Sequence, residues 1–307
     1  MPKDMYAAAM RVAVTGSRGL IGSAVTSALR ARGDRVVCLV RDAAGGADDV
    51  AWNPAQGRID AARLEGIDAA IHLAGATLAA RWTPEQKKAI RESRLLGTGL
   101  LARTLAGLTA RPRVMVSGSA VGYYGNRGDD VLTESSGPGT GFLAEVCQAW
   151  EAAADPARRA GVRVTHPRFG VVLAGHGGVL AKITPIFRLG AGGPLGHGRQ
   201  YLPWVAIDDA VGGILLALDR DDMDGPVNVV APRAATNREF TSALGHALGR
   251  PAVIPVPATA LRAMFGEMAD EALLASQRVE PARLRTTGYA FRFGELEPAL
   301  RHVLAAA

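Results

Sequence analysis

The chain predicts a doubly wound α/β fold, a parallel sheet with helices on both faces, and three observations carry that expectation. From Arg11 onward, short β-branched runs alternate with longer Ala/Leu-rich stretches of helical period. A glycine-rich turn joins the first run to the first stretch. With 48% hydrophobic and 21% charged residues over 307 positions, the chain can bury a large core, which excludes disorder and fibrous repeats.

Each element follows from its own residues. Strands are expected near 11–15, 35–40, 68–73, 113–118, 162–168 and 227–230, where Val, Ile and Thr cluster. Helices are expected near 20–32, 84–107, 142–160 and 207–219. Right-handed crossover places the first two strands side by side, with the first helix on one face. After Gly170 the texture changes to glycine-rich loops, GHGG (175–178), GAGGP (190–194) and GHGRQ (196–200). Residues 10–170 are therefore expected to form mainly a dinucleotide-binding Rossmann domain, and 171–307 mainly a smaller substrate lobe. Within that lobe a strand near 227–230 returns to the sheet, and 251–304 reads as an appended helical segment. Doubly wound folds bind ligands at the carboxyl ends of their strands, so the late segments are placed as a roof over that edge.

The chemistry begins at Gly16-Ser17-Arg18-Gly19-Leu20-Ile21-Gly22, which follows strand VAVT and precedes a helix. The first glycine permits the tight turn, the second lets backbone N–H groups approach a pyrophosphate, and the third lets helix pack on strand. The helix amino terminus adds partial positive charge. The second strand ends at Val40 and is followed by Arg41, 19 positions beyond Gly22. An acidic residue there would select NAD through the ribose hydroxyls; a guanidinium suits the 2′-phosphate of NADP. Arg18 can reach the same phosphate, so NADP(H) is the expected cofactor, while Asp42 offers the alternative ribose partner.

Composition limits the rest. The basic residues, 35 against 29 acidic for a net +6, are scattered in runs of no more than two, which speaks against nucleic-acid binding. Two cysteines, Cys38 and Cys147, build neither a disulfide framework nor a Cys-based zinc site, and the histidines show no ligand spacing; no catalytic metal is expected. Cys147, on an Ala/Val-rich helix, reads as core filler. The first ten residues are too weakly apolar for a signal peptide and no long uncharged apolar stretch follows, so a cytoplasmic protein without membrane association is expected. Nothing in the residues fixes the oligomeric state.

Several motifs resemble those of the extended or atypical short-chain dehydrogenase/reductase superfamily. His72-Leu73-Ala74-Gly75 is similar to the element whose backbone lies against the cofactor, Val116-Ser117-Gly118-Ser119 through Tyr124-Gly125 to the serine and tyrosine element, and Pro203 to Asp209 to a later Asp-Asp element. Arg81-Trp82-Thr83, Lys88, Ser93-Arg94, Tyr123-Tyr124, Trp150-Glu151 and Arg168-Phe169-Gly170 resemble more closely the epimerase-like subfamily typified by short-chain dehydrogenase/reductase family 39U member 1. The resemblance runs from Arg11 to about Val303. It implies NADP(H) held by the glycine loop, Arg41, Leu73, Ala74, Gly75, Lys88, Arg94 and the segment Pro167-Arg168. Without it, Lys88 and Arg94 read equally as phosphate partners or as a solvated helix face.

The superfamily's catalytic pattern is missing. Its Tyr and a Lys four residues on share a helical face, so that the cation lowers the phenol pKa. Here the residues four beyond Tyr6, Tyr123, Tyr124, Tyr201 and Tyr289 are Met10, Arg127, Gly128, Val205 and Phe293. Aligning the helix on Trp150-Glu151 puts Leu143 and Cys147 at the usual positions. Tyr123 or Tyr124 remain as phenols and Ser117 or Ser119 as groups that polarise a substrate oxygen; packing and cofactor-floor roles are the alternative. Arg199, Gln200 and Trp204 of the roof are the expected substrate contacts. Two functions follow: an NADP-dependent oxidoreductase or epimerase-type enzyme on a small polar carbonyl or alcohol, possible substrates including a nucleotide-sugar, or a non-catalytic NADP(H)-binding regulator, some relatives being linked to cell division.

Overall fold

β1 (Arg11–Thr15) and β2 (Arg35–Val40) pair in parallel, Val12 opposite Val36, and α1 (Leu20–Ala31) connects them. In the computed structural model, which describes residues 9–41, 46 and 48–305, this pair is the centre of one large sheet. Asp42 lies outside the described residues.

The sheet grows from β1 and β2 in both directions. Beyond β2 stand β3 (Asp49–Asn53), parallel to it, and the short antiparallel β4 (Arg58–Ile59). Beyond β1 come β5 (Ala69–His72), β6 (Val114–Ser117), β9 (Arg163–Phe169) and β13 (Gly225–Val229), all parallel, and β7 (Ser119–Ala120) adds to β9. β8 (Val131–Leu132) lies off the main sheet. The spatial order β13-β9-β6-β5-β1-β2-β3-β4 reverses direction at β1, where a cleft must open at the carboxyl edge.

β3 was not expected. Only Val50 and Trp52 of its five residues are buried, so a short strand with two anchors carries too short a pattern to be seen. The long helix expected over 142–160 is two helices, α3 (Phe142–Ala152) and α4 (Asp155–Arg159). Pro156 explains the break, since it lacks the N–H needed to continue a helix and fits a first turn.

Both faces of the sheet are covered. Val25 and Leu29 of α1 pack with Ala210 and Ile214 of α6 (Ile207–Asp219) on one side. On the other, Leu101 and Leu105 of α2 (Pro84–Gly107) pack with Ala154 and Ala157. The chain thus returns to the nucleotide-binding layer at α6 and at β13, the strand expected near 227–230. The remainder forms a lobe: β10 (Val171–Ala174) beside β12 (Trp204–Ala206), α5 (Gly178–Arg188), β11 (Tyr201–Leu202) against β14 (Ala235–Thr236), and α7 (Asn237–Leu248). Then follow α8 (Ala258–Phe265), β15 (Arg278–Val279) paired with β8, α9 (Ala282–Thr286) and α10 (Leu296–Ala305). Among the described residues, no helix is long and apolar enough to cross a membrane.

Candidate functional site

The turn after β1 is shaped by glycine. Gly16 has φ +69°, and a Cβ on it would lie 2.8 Å from the Leu73 carbonyl carbon. A Cβ on Gly22 would lie 2.0 Å from the Gly16 oxygen, so α1 sits directly on the turn only because that side chain is absent. Gly19 is the N-cap of α1, no side chain caps it and no acidic residue stands in its first turn. The leading N–H groups are thus left for an anion.

A cleft of about 850 Å³ opens over this turn. Arg18 and Arg41 line one end with Trp52 and Asn53, and Leu73, Ala74, Gly75 and Ser93 carry it to the other. Both arginines are exposed, and among the described residues neither has a hydrogen-bond or ion-pair partner. Ser17 lines the cleft, whereas the Leu20 side chain turns to the backbone of Gly177 and Gly178, and Ile21 packs on the core.

The far wall is fixed from below. Thr15 Oγ1 accepts hydrogen bonds from the backbone N–H of Leu73 (3.1 Å) and Ala74 (3.3 Å) and lies 2.7 Å from His72 Nδ1. A hydroxyl accepting twice must direct its own proton to His72, which makes Nδ1 the acceptor and puts the ring proton on Nε2. Burial first, then the Arg94 charge, push His72 down to about 4. Between its ordinary 6.5 and 4, the unfolded chain binds a proton that the native chain does not. Stability from this group is therefore complete above the higher value and lost as pH falls toward the lower, by about 3 kcal/mol. Thermal unfolding of His72→Gln is expected to show a flatter decline over that window than the parent; parallel curves would contradict this.

Arg94 is the most informative side chain. It is buried, its Nη1 donates to the carbonyls of Ala76 (3.2 Å) and Ile90 (3.1 Å), and its guanidinium lies 5.0 Å from the Trp150 ring centre. Its Cζ would lie 3.5 Å from a Cβ on Gly75, so it packs directly behind the Gly75 lining of the cleft without lining the cleft itself. Among the described residues no carboxylate pairs with it, and burial lowers its pKa. A buried cation without a counter-charge calls for an anionic ligand. Lys88 differs: its side chain is 72% exposed, 3.9 Å from Glu92, and does not line the cleft.

The polar residues beyond β6 are tied into one network. Arg168 meets Glu151 through Nε and Nη2, each 2.8 Å from a carboxylate oxygen. Ser119 Oγ donates to Glu151 Oε1 (2.7 Å), Arg168 Nη1 to the Tyr124 oxygen (3.0 Å), and Tyr124 to Asn228 Oδ1 (2.7 Å). Burial pulls the Arg168 guanidinium down, but the bonds and charge of Glu151 leave it raised overall. Burial likewise raises the Tyr124 hydroxyl, against the opposing pull of Arg168.

This changes the reading of several residues. Ser117 is fully buried, Tyr124 is fully buried and committed, and Pro167 and Arg168 lie inside β9, so none of these side chains faces the cleft. Gln200 donates to the carbonyls of Leu195 and Leu273, and Trp204 packs with Leu173 and Leu180 in the lobe core. Both are structural rather than placed for substrate. Arg199 is exposed and does not line the cleft. Tyr123 is half-buried, with the Arg168 guanidinium 3.4 Å from its ring centre, and among the described residues its hydroxyl has no partner. Cys147 is buried, and burial first, then the Glu151 charge, push its thiol up to about 12. Trp52, Asn53, Glu151 and Asn228 were not given these roles from sequence, because their parts depend on strands and partners distant along the chain.

A parallel sheet with a glycine turn, an uncapped α1 terminus and a cleft at the reversal point defines a dinucleotide-binding protein of the short-chain dehydrogenase type. The model of the NAD dependent epimerase/dehydratase family matches residues 12–230, and a domain of unknown function, DUF1731, matches 256–303. The chain belongs to that epimerase/dehydratase family, in its extended, epimerase-like branch. It is 42% identical to an epimerase family protein of Mycobacterium tuberculosis (strain CDC 1551 / Oshkosh), over 94% of this chain and 96% of that one. The crystal structure of human epimerase family protein SDR39U1 (isoform 2) with NADPH superposes with TM-score 0.88 at 36% identity, covering 97% of this chain and all of that one. A nucleoside-diphosphate sugar epimerase from Corynebacterium glutamicum superposes with TM-score 0.81 at 37% identity, covering 97% of this chain and 59% of the other.

Proposed function

We propose that this chain binds NADP(H) along the carboxyl edge of its sheet and acts as an NADP-dependent oxidoreductase or epimerase-type enzyme on a small polar carbonyl or alcohol. The observation that carries the cofactor assignment is the set of three arginines without carboxylate partners among the described residues, Arg94 under the cleft floor and Arg18 and Arg41 at one end. Arg18 and Arg41 suit the 2′-phosphate, and the α1 terminus suits the pyrophosphate. NADPH in the human relative agrees with this.

The nicotinamide, when bound, supplies hydride chemistry. The chain's own residues bind, orient and exclude water. Ser119 gives its proton to Glu151, so toward a ligand it offers lone pairs only and accepts a hydrogen bond rather than polarising a carbonyl. Tyr123 is the candidate proton donor, being the phenol of the pair whose hydroxyl is not consumed in the network. Arg199 on the roof is the candidate contact for an anionic or hydroxylated substrate. A nucleotide-sugar substrate has only the name of the C. glutamicum relative behind it. Two buried free thiols suit a reducing compartment such as the cytoplasm.

The regulator reading has its own support: Leu143 and Cys147 occupy the acid/base face, and Tyr124 and Arg168 are locked inside. The same experiment separates the two. NADPH and NADH binding is measured by fluorescence titration for the parent and for Arg41→Ala, followed by NADPH oxidation against a carbonyl panel for the parent and Tyr123→Phe. The expected result is an NADPH preference reduced about tenfold by Arg41→Ala, the worth of roughly one charge-assisted contact, and a substrate-dependent rate lost in Tyr123→Phe. An unchanged preference would overturn the phosphate assignment, and tight NADPH binding without turnover would favour the regulator.

A further inference from the structure

The segment of unknown function reaches back to the starts of the two helices beside the cleft. At its start the Ala263 carbonyl accepts from Arg81 Nη1 (3.0 Å), ahead of α2, and Glu267 pairs with Lys87 on α2 at 2.8 Å. Glu271 then accepts from the backbone N–H groups of Phe142 and Leu143, both at 2.8 Å, the first two residues of α3. Leu273 accepts from Gln200 on the roof (3.2 Å). One stretch of eleven residues, 263–273, thus touches the starts of both helices and the roof. These helices follow β5 and β6 in the chain, so the stretch lies at the carboxyl edge of the sheet, although none of its residues lines the cleft itself. It stands beside not the Arg41 end of the cleft but the Ala76, Thr77 and Ser93 end. There the reactive ring must lie if Arg18 and Arg41 hold the 2′-phosphate.

We propose that residues 263–273 are a lid over this end of the cleft, latched by the Glu271 carboxylate on α3. The inference rests on the NADP(H) reading for what the lid covers, but not for whether it moves.

Its two flanks are unlike. After it, Ser276 and Gln277 are buried and anchored: Ser276 bonds to Asn126 and Gly128, and Gln277 Nε2 donates to the carbonyls of Val121 and Gly125. These form a fixed end, continued by β15 against β8. Within the lid the polar pins are half-exposed, with the Lys87 and Glu267 side chains 32% and 44% accessible. Gly266 ends α8 at φ +61°, ψ −139°, a conformation available to glycine, and the following turn, Ala269–Leu273, is π-helical rather than α-helical. A segment held to the rest of the fold by a helix-end carboxylate, a half-exposed ion pair and two side-chain bonds to its end carbonyls, with irregular points between them, can open without unfolding the sheet.

The underside is apolar. Met268 is buried with Trp82, Ile90 and Val146, and Phe265 and Leu273 pack partly against the same cluster beside Phe142 and Leu143. Closing places this surface over the α3 face where the superfamily's acid/base pair would stand, and it excludes water from the reacting end of the cofactor. Glu271 is a positioning residue: it holds both the lid and the first turn of α3.

The test is hydrogen exchange, read by mass spectrometry on the full chain, for the parent, Glu271→Ala and Glu271→Gln, each with and without NADPH. In the parent, amides of 263–273 are expected to exchange faster than those of β1 and β6 and to slow on adding NADPH. Glu271→Ala is expected to speed exchange in this segment at least fivefold with β1 and β6 unchanged, and Glu271→Gln less, since its amide oxygen still accepts one bond. Exchange of 263–273 at the rate of the core strands in the parent, or no difference between the parent and a folded Glu271→Ala, would overturn the lid. NADPH binding is followed separately by fluorescence. If NADPH fails to bind, the cofactor reading falls while the Glu271 comparison still decides whether the segment opens; if NADPH binds without slowing exchange, the lid does not close on the cofactor.

Discussion

Glu151→Ala is expected to destabilise the fold by about 3–5 kcal/mol, because it leaves the Arg168 guanidinium buried without its counter-charge. The Arg168 side chain is 3% exposed and Glu151 14%, so solvent cannot replace the lost partner. Two charge-assisted bonds and the bond from Ser119 go together, and Tyr124 is left beside an unneutralised cation. For a chain of this length the loss corresponds to a fall in thermal midpoint of roughly 5–8 °C. Glu151→Gln retains an acceptor for one guanidinium nitrogen and should lose less. Replacing both charges with apolar residues, Glu151→Leu with Arg168→Met, is expected to recover much of the stability, since a buried ion pair gains little net energy over good apolar packing. If Glu151→Ala melted with the parent, the network would be solvated and its strut-like role wrong.

That network marks the boundary of what the sequence can disclose. Gly16, Gly19 and Gly22 could be assigned because the turn and the contact of Gly22 with Gly16 lie within seven positions, and local spacing encodes local geometry; the close approach of Gly16 to Leu73 does not lie within them. The parallel sheet was legible for the same reason, since its central strands β1, β2 and β5 are short and mostly apolar. Ser119, Glu151, Arg168, Tyr124 and Asn228 come from five separate elements, and no spacing in the chain announces that they converge. Trp204 and Gln200 misled because a roof position reads as ligand-facing until the lobe core is seen to enclose it. Glu271 carried no signal at all, since a carboxylate capping a helix 129 residues earlier leaves no local pattern. Arg94 was half legible: its residue type suggested an anion, but one helix offers a buried and a solvated face, and Lys88 six residues before it lies on the other.

Arg94→Met should separate stability from binding, leaving the first unchanged or raised and lowering the second. The methionine keeps an unbranched apolar stem against Trp150 and removes the buried charge. In the free protein Arg94 has no carboxylate partner among the described residues, and its burial already disfavours the charged form, so losing the charge relieves desolvation. Against this stand the two bonds to the carbonyls of Ala76 and Ile90, each worth about 1 kcal/mol or somewhat more for a charged donor. The expected thermal midpoint is therefore close to that of the parent or above it. Affinity for NADPH should fall by roughly 10–100-fold, the equivalent of about 1.4–2.7 kcal/mol for a charge-assisted contact to an anionic or polar ligand group. A residue that merely fills the floor would lower both quantities together, and a solvated one would change neither. Parallel calorimetric melting and NADPH titration of this one variant decide among the three, and a fall in stability with unchanged affinity would remove Arg94 from the cofactor site.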